Sequence, residues 1–261
     1  MMRVLRLFGT SFSLSLRQTF AYRVNLCFDA LIALLQLASA VIAIGFLFHR
    51  TGLLAGWRPG EMLVLVGTYS FMTGLRSAFI DPSIDDFSDR ARDGRLDACL
   101  LQPAPSVLLA TCTRHAPLVL VQSVLGIGVI AVGLRELGTV PSPAGIAGWI
   151  LLTGSGLVIG WATTVALACL VFWAPRLSFG VVHSAAWEFG RYPVDIYGRS
   201  MRLVLTYVFP MAVVTTWPAR SLTRGPSLFA LLVAPASAAV FTALALLLWG
   251  FGIRRYSGAT S

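Results

Sequence analysis

Between residues 145 and 173 the chain runs for 29 residues without a formally charged side chain. A helix of that length exceeds the ~20 residues needed to cross a hydrocarbon core, and it has no polar face to turn towards water. Comparable apolar runs fall at about 24–48, 61–80, 108–134, 201–217 and 228–253, so six spans are expected. The fifth is short, broken by Pro210 and closed by Pro218, which leaves a partly re-entrant course open. The whole chain is 57% hydrophobic and only 12% charged, about half the charge of a soluble domain. The expected fold is therefore an all-α integral membrane protein. It forms a single transmembrane domain over 1–261 and leaves no room for a separate soluble enzyme domain.

Against this background residues 81–105 stand out as a polar island. Of the 31 charged residues, nine lie between Asp81 and Asp97. The island reads as helical. Asp81 is placed to cap a helix with Pro82 at its first position, and Ile84, Phe87 and Ala91 fall on one face. Gly94 is a natural stop, Leu96, Leu100 and Leu101 continue the apolar edge, and Pro103 ends it. An amphipathic helix between two spans is shaped to press against something, although the same spacing also suits a solvated connecting loop.

Residues 1–23 form a second amphipathic pattern. Phe8, Phe12, Leu16 and Phe20 repeat every four residues, with Arg3, Arg6 and Arg17 elsewhere on the wheel. That suits an interfacial elbow helix lying at the headgroups. Within the fourth run, Gly156 and Gly160 permit close helix approach.

The net charge is +9, and all 20 basic residues are Arg. The lysine of a GxxxxGK[ST] phosphate loop, or of a Schiff base, is thus missing throughout. No nucleic-acid role is expected, because arginines in a membrane protein gather at the cytoplasmic ends of spans. With both termini inside, 15 arginines fall on the cytoplasmic side and five outside (Arg50, Arg58, Arg135, Arg220, Arg224). This places the island in the cytoplasm, together with a second polar segment at 174–200. The four cysteines show no CxxC pairing, and no metal or cofactor site is expected on this chain. Glu188 and Asp195 are seven apart, but Tyr192-Pro193 separates them and Arg191 and Arg199 can neutralise both. No catalytic constellation emerges, so an enzyme is not expected.

Four stretches carry a resemblance. They are Ala21-Tyr22-Arg23-Val24-Asn25, Arg92-x-Gly94-x-Leu96-Asp97-x-x-Leu100-Leu101-x-Pro103, Arg191-Tyr192-Pro193-x-x-Ile196-Tyr197, and Phe209-Pro210 followed by Trp217-Pro218-Ala219. In this order they resemble the permease subunits of ABC type-2 transporters. Ala91 and Gln102 stand where that pattern has Ile and Arg.

The resemblance implies six spans, an elbow helix, cytoplasmic termini and a coupling helix in the island. It implies an exporter in the inner (plasma) membrane, with no ATPase of its own; the all-Arg, Ala- and Gly-rich usage points to a bacterium. Two permease chains, identical or homologous, would sit on two copies of a cytoplasmic ABC ATPase that binds the ATP and Mg. The implied coupling interface is Asp81, Ile84, Asp85, Phe87, Arg90, Arg92, Gly94, Arg95, Leu96, Asp97, Leu100, Leu101 and Pro103. In it Phe87, Leu96 and Leu100 are expected as apolar anchors and the arginines and aspartates as ion pairs. Tyr22, Arg23 and Asn25 mark the first span, and Arg191, Tyr192, Pro193, Ile196 and Tyr197 the second cytoplasmic segment. Two rivals are a secondary transporter or channel, and a membrane scaffold or immunity protein. The first wants ionisable residues near the midplane and an inverted repeat, and the sequence offers neither.

Overall fold

The computed structural model describes residues 23–49, 53–101, 106–111, 114–174 and 179–256. The expected elbow helix, Tyr22 and Pro103 lie outside them. Among the described residues there is no strand, and the protein is a bundle of helices. Three helices are long and apolar enough to cross a membrane, at Pro117–Leu137, Pro143–Phe172 and Leu228–Arg255, or up to five if each bent pair forms one span.

The bundle is built round α2 (Pro59–Phe79), whose residues from Gly60 to Ser70 are all buried. Pro59 starts it, and the Glu61 carboxylate accepts from the Arg58 backbone N–H at 2.9 Å. Gly60, Gly67 and Gly74 recur every seven residues and face Gly133, Gly126 and Ser123 of α6 (Leu120–Leu137). A Cβ on Gly67 would lie 2.7 Å from the Gly126 carbonyl oxygen, and one on Gly126 2.6 Å from that of Gly67. Backbone therefore meets backbone, which in lipid replaces the missing hydrophobic drive. Helix α1 (Arg23–Phe48) packs beside this pair.

The chain leaves α2 through a 42° bend into α3 (Asp81–Arg92). Ile80 stays helical, and its carbonyl accepts from the N–H of Ser83 and of Ile84, so α3 continues α2. Asp81 does not cap it. Its carboxylate accepts from the Ser77 hydroxyl at 2.9 Å and faces Arg76 at 3.3 Å. Gly94, at φ +69°, takes the left-handed conformation that lets Arg95 N–H return to the Arg90 carbonyl at 2.8 Å. Two short helices follow, α4 (Asp97–Leu100) and α5 (Ser106–Thr111).

The third long helix begins later than the apolar run suggests, at Pro117 rather than near residue 108. Ala116 leaves the helical region (φ −120°, ψ 76°), as a residue before proline tends to. Its N–H donates to the Ala78 carbonyl at 2.8 Å. The Ser142 hydroxyl accepts from Gly145 N–H at 3.0 Å and caps α7 (Pro143–Ala168). A 3₁₀ turn extends α7 to Phe172.

Next comes α8 (Phe179–Glu188), running back along α7. The 3₁₀ turns Phe189–Arg191 and Val194–Ile196 carry the chain onward. Here the structure corrects the sequence reading, which put Asp195 in the cytoplasm and Trp57 outside. Trp57 Nε1 donates to Asp195 Oδ2 at 3.2 Å, so both share one end of the bundle, opposite α3. Residues 179–196 thus pass from the α3 end to the Trp57 end.

The expected fifth span at 201–217 is a hairpin instead. α9 (Arg199–Leu203) runs into a π-helical stretch to Val208. The chain then turns by 80°, and residues 212–216 (again π-helical) lead into α10 (Trp217–Arg224). Arg202 donates to the Asp195 carbonyl at 2.7 Å, and Arg220 pairs with the Asp195 carboxylate at 2.5 Å. Both limbs therefore start and finish at the Trp57 end. Pro210 has no N–H to give the helix, which is where the hairpin turns. Pro218 does not close it, because the first turn of α10 needs no N–H there. The last helix, α11 (Leu228–Arg255), packs along α7.

Candidate functional site

Of the residues expected to meet a partner, the structure gathers those from Asp81 to Leu101 at one end of the bundle. The helix periodicity of α3 is real, but its apolar face is spent inside the chain. Ile84, Phe87 and Leu96 are buried, and Ala91 packs beside them. The Phe87 ring centroid lies 5.2 Å from Trp249 of α11 and 5.9 Å from Phe172. Leu96 N–H donates to the Tyr256 hydroxyl at 3.1 Å. Phe87 and Leu96 are thus corrected from external anchors to internal ones. For Leu100 only the backbone, in α4, is described.

What remains open at this end is charge. Asp85, Asp89, Arg92, Asp93 and Arg95 are exposed, together with the apolar Leu101. The arginines are paired locally: Arg90 with Asp86 at 2.5 Å, Arg92 with Asp89 at 3.6 Å, and Arg95 with Asp93. Arg114 adds a second contact to Asp86 at 3.2 Å. The exposed pairs among these, Arg92 with Asp89 and Arg95 with Asp93, contribute little to stability and are easily exchanged for a partner's charges. Asp97 stands in the first turn of α4. Although Asp85 is exposed, partial desolvation against the bundle pushes its carboxyl above the usual aspartate range, Asp81 and Asp89 add to the shift, and Arg76 opposes it.

Sequence reasoning missed the group that ties this surface to the bundle. Arg76, in the last turn of α2, is buried. It faces Asp81 of α3, lies 4.6 Å from the ring centroid of Trp187, and reaches His183 Nδ1 at 3.4 Å. His183 Nε2 in turn lies 3.1 Å from the Thr163 hydroxyl and 3.2 Å from that of Thr164 on α7. Trp187 Nε1 donates to Thr73 at 2.9 Å, and its ring fills the space left by Gly160. One side chain thus links α2, α3, α7 and α8. The available signal was the placing of Arg76, a lone charge at the end of an apolar run one turn before the island. Beside it a cleft of about 200 Å³ opens between α3, α7 and α8, lined by Asp85, Asp89, Arg92, Thr164 and His183.

The other motif residues lie elsewhere. The Arg191 guanidinium sits 5.5 Å from the Tyr69 ring centroid and pairs with Glu188 at 2.9 Å. Tyr192 and Ile196 pack into the core round Trp57, and the Tyr197 hydroxyl donates to the Phe189 carbonyl at 3.0 Å. Pro193 precedes the second 3₁₀ turn. Arg191, Tyr192, Pro193 and Ile196 belong to the segment 179–196, Tyr197 follows it directly, and none of the five joins α3. Arg23 and Asn25 begin α1. At the Trp57 end, Arg224 grips both Glu61 oxygens at 2.7 Å, while the Arg220 and Arg224 guanidiniums lie over the Trp57 ring. Among the described residues, no three His, Cys, Asp or Glu side chains are placed to share a metal ion.

The described residues thus form a helical bundle with a charged helix at one end and a hairpin that begins and ends at the other. The family model for ABC-2 family transporter proteins matches residues 34–260. The chain belongs to that family. No match was found among curated proteins, and none among solved structures. ABC-2 permeases are membrane components of transporters, and here the family match covers every helix described except the start of α1.

Proposed function

We propose that this chain is the permease subunit of an ATP-driven exporter. It works as a dimer, with itself or a homologous chain, on two copies of a separate cytoplasmic ATPase subunit that carries the ATP and Mg. The observation that carries this reading is the way α3 is mounted. The helix prolongs α2 through a bend, is clamped to α8 by Arg76, and turns its charged face away from the bundle. A push on that face is delivered to α2 and to the crossing segment 179–196 together. Asp85, Arg90, Arg92, Arg95 and Asp97 would meet the ATPase, and Leu101 would add an apolar contact.

The arginine bias supports a cytoplasmic α3, since moving Arg199 and Arg202 to the other side narrows it without reversing it. Six passes then follow: α1, α2, α6, α7, residues 179–196 and α11, with both termini inside the cell's inner membrane. The test is co-purification. The tagged chain, expressed with the ATPase encoded beside it and gently solubilised, should bring down two ATPase copies, and the complex should hydrolyse ATP. Recovery of the chain alone would overturn the proposal.

A further inference from the structure

Glu188 stands at mid-depth of the bundle. Tyr69, under Arg191, is the central residue of α2, and Thr73, bonded to Trp187, is one turn further on. Glu188 follows Trp187 directly, and its side chain is 60% exposed, whereas its partner Arg191 is 27% exposed and covered by the Tyr69 ring. A carboxylate at this depth is costly against lipid, so such groups face a water-filled path.

The surroundings agree. A cleft of about 260 Å³ is lined by Glu188, Thr73, Ser77, Gln36 of α1 and Gln122 of α6, with Ile32 and Leu118 among its apolar members. It extends from the level of Ser77, close to the α3 end, up to Glu188. Gln36 and Gln122 also line a smaller recess that holds Arg191 and Tyr69.

We infer that this cleft binds a cationic amphiphile, a molecule with one positively charged nitrogen and an apolar body, through the Glu188 carboxylate. The carboxylate is the charge an entering ligand meets, because Arg191 is held behind it. The exposed carboxylate can accept from an ammonium or balance a delocalised cation while the pair with Arg191 persists. The amides and hydroxyls solvate the charged end, and the apolar wall takes the body. The path from the α3 end lets such a molecule enter from that side of the membrane. This names a substrate class for the permease reading and rests on it.

The test reads binding by the purified chain in lipid nanodiscs, without any ATPase, so its failure is separate from the failure of co-purification. Fluorescence polarisation of rhodamine 6G, a lipophilic cation, is compared with that of the uncharged dye Nile red. The wild-type chain should bind rhodamine 6G saturably. Glu188→Gln should weaken that affinity tenfold or more and leave Nile red unaffected, and Glu188→Asp should retain most of the cation binding. Equal rhodamine affinity in wild type and Glu188→Gln, equal loss of both dyes, or no saturable cation binding by the wild type would each overturn the inference.

Discussion

The guanidinium of Arg76 lies over the indole of Trp187, 4.6 Å from the ring centroid, and reaches Asp81 at 3.3 Å. The contact joins the bend between α2 and α3 to a helix a hundred residues later in the chain. A planar cation suits this, since it lies against the indole while pairing with Asp81 and reaching His183. Arg76→Ala leaves the Asp81 carboxylate without its ion pair and empties the face of Trp187. The expected cost is about 1–3 kcal/mol in stability. Arg76→Lys should recover only part of it. Thermal unfolding in detergent measures the loss. In a complex with the ATPase, the ratio of transport to ATP hydrolysis should fall further than stability accounts for. An unchanged ratio would sink the coupling role of Arg76.

The α2–α6 contact predicts a sharp difference between glycines in the same helix. A Cβ added at Gly126 would meet the Gly67 carbonyl oxygen at 2.6 Å, while one added at Gly128 would meet nothing within 4 Å. Gly126→Ala and Gly67→Ala should each destabilise the protein by about 1–3 kcal/mol through overpacking. Gly128→Ala should be neutral or slightly stabilising, because alanine is the better helix former. Melting temperatures of the three variants decide it, and equal shifts would exclude a backbone-to-backbone seam.

The long apolar runs were legible because lipid demands them, and the amphipathic period of α3 was legible because it is local. Which surface the apolar face of α3 meets was not, since Phe172 and Trp249 lie far off in sequence. The seven-residue glycine spacing was visible but less familiar than Gly156 and Gly160. Those two instead make room for Val214 of the hairpin and for Trp187. Residues 174–200 misled because Glu188, Arg191, Asp195 and Arg199 look like a solvated loop when counted singly. Their partners, Tyr69, Trp57 and Arg220, come from segments that a sequence pattern cannot bring together. Arg76 was hidden for the same reason.

Asp85 predicts a pH dependence. Its carboxyl is raised in the folded protein by burial and by its acidic neighbours, so the folded state holds the proton to higher pH than the unfolded chain. Stability from this group is complete below the ordinary aspartate range and is lost as pH rises through the raised value. Asp85→Asn cannot ionise and should melt higher than wild type at pH 7. That advantage should vanish as both are brought towards pH 3. A lower melting temperature for Asp85→Asn at neutral pH would show that the charge stabilises the fold.

The contact of Asp195 with Trp57 and Arg220 makes a topological prediction. Arg199, four residues on, is exposed, as are Leu53 before α2 and Asp89 on α3. In a chain whose four cysteines have been replaced, single cysteines at 53, 89 and 199 can be labelled with a membrane-impermeant maleimide on intact cells. Arg199→Cys should behave as Leu53→Cys does, and Asp89→Cys should show the opposite accessibility. If Arg199→Cys reacts together with Asp89→Cys, residues 179–196 do not cross the membrane. Glu188 would then lie at a membrane surface, and the route from the α3 end to mid-depth would lose its far wall.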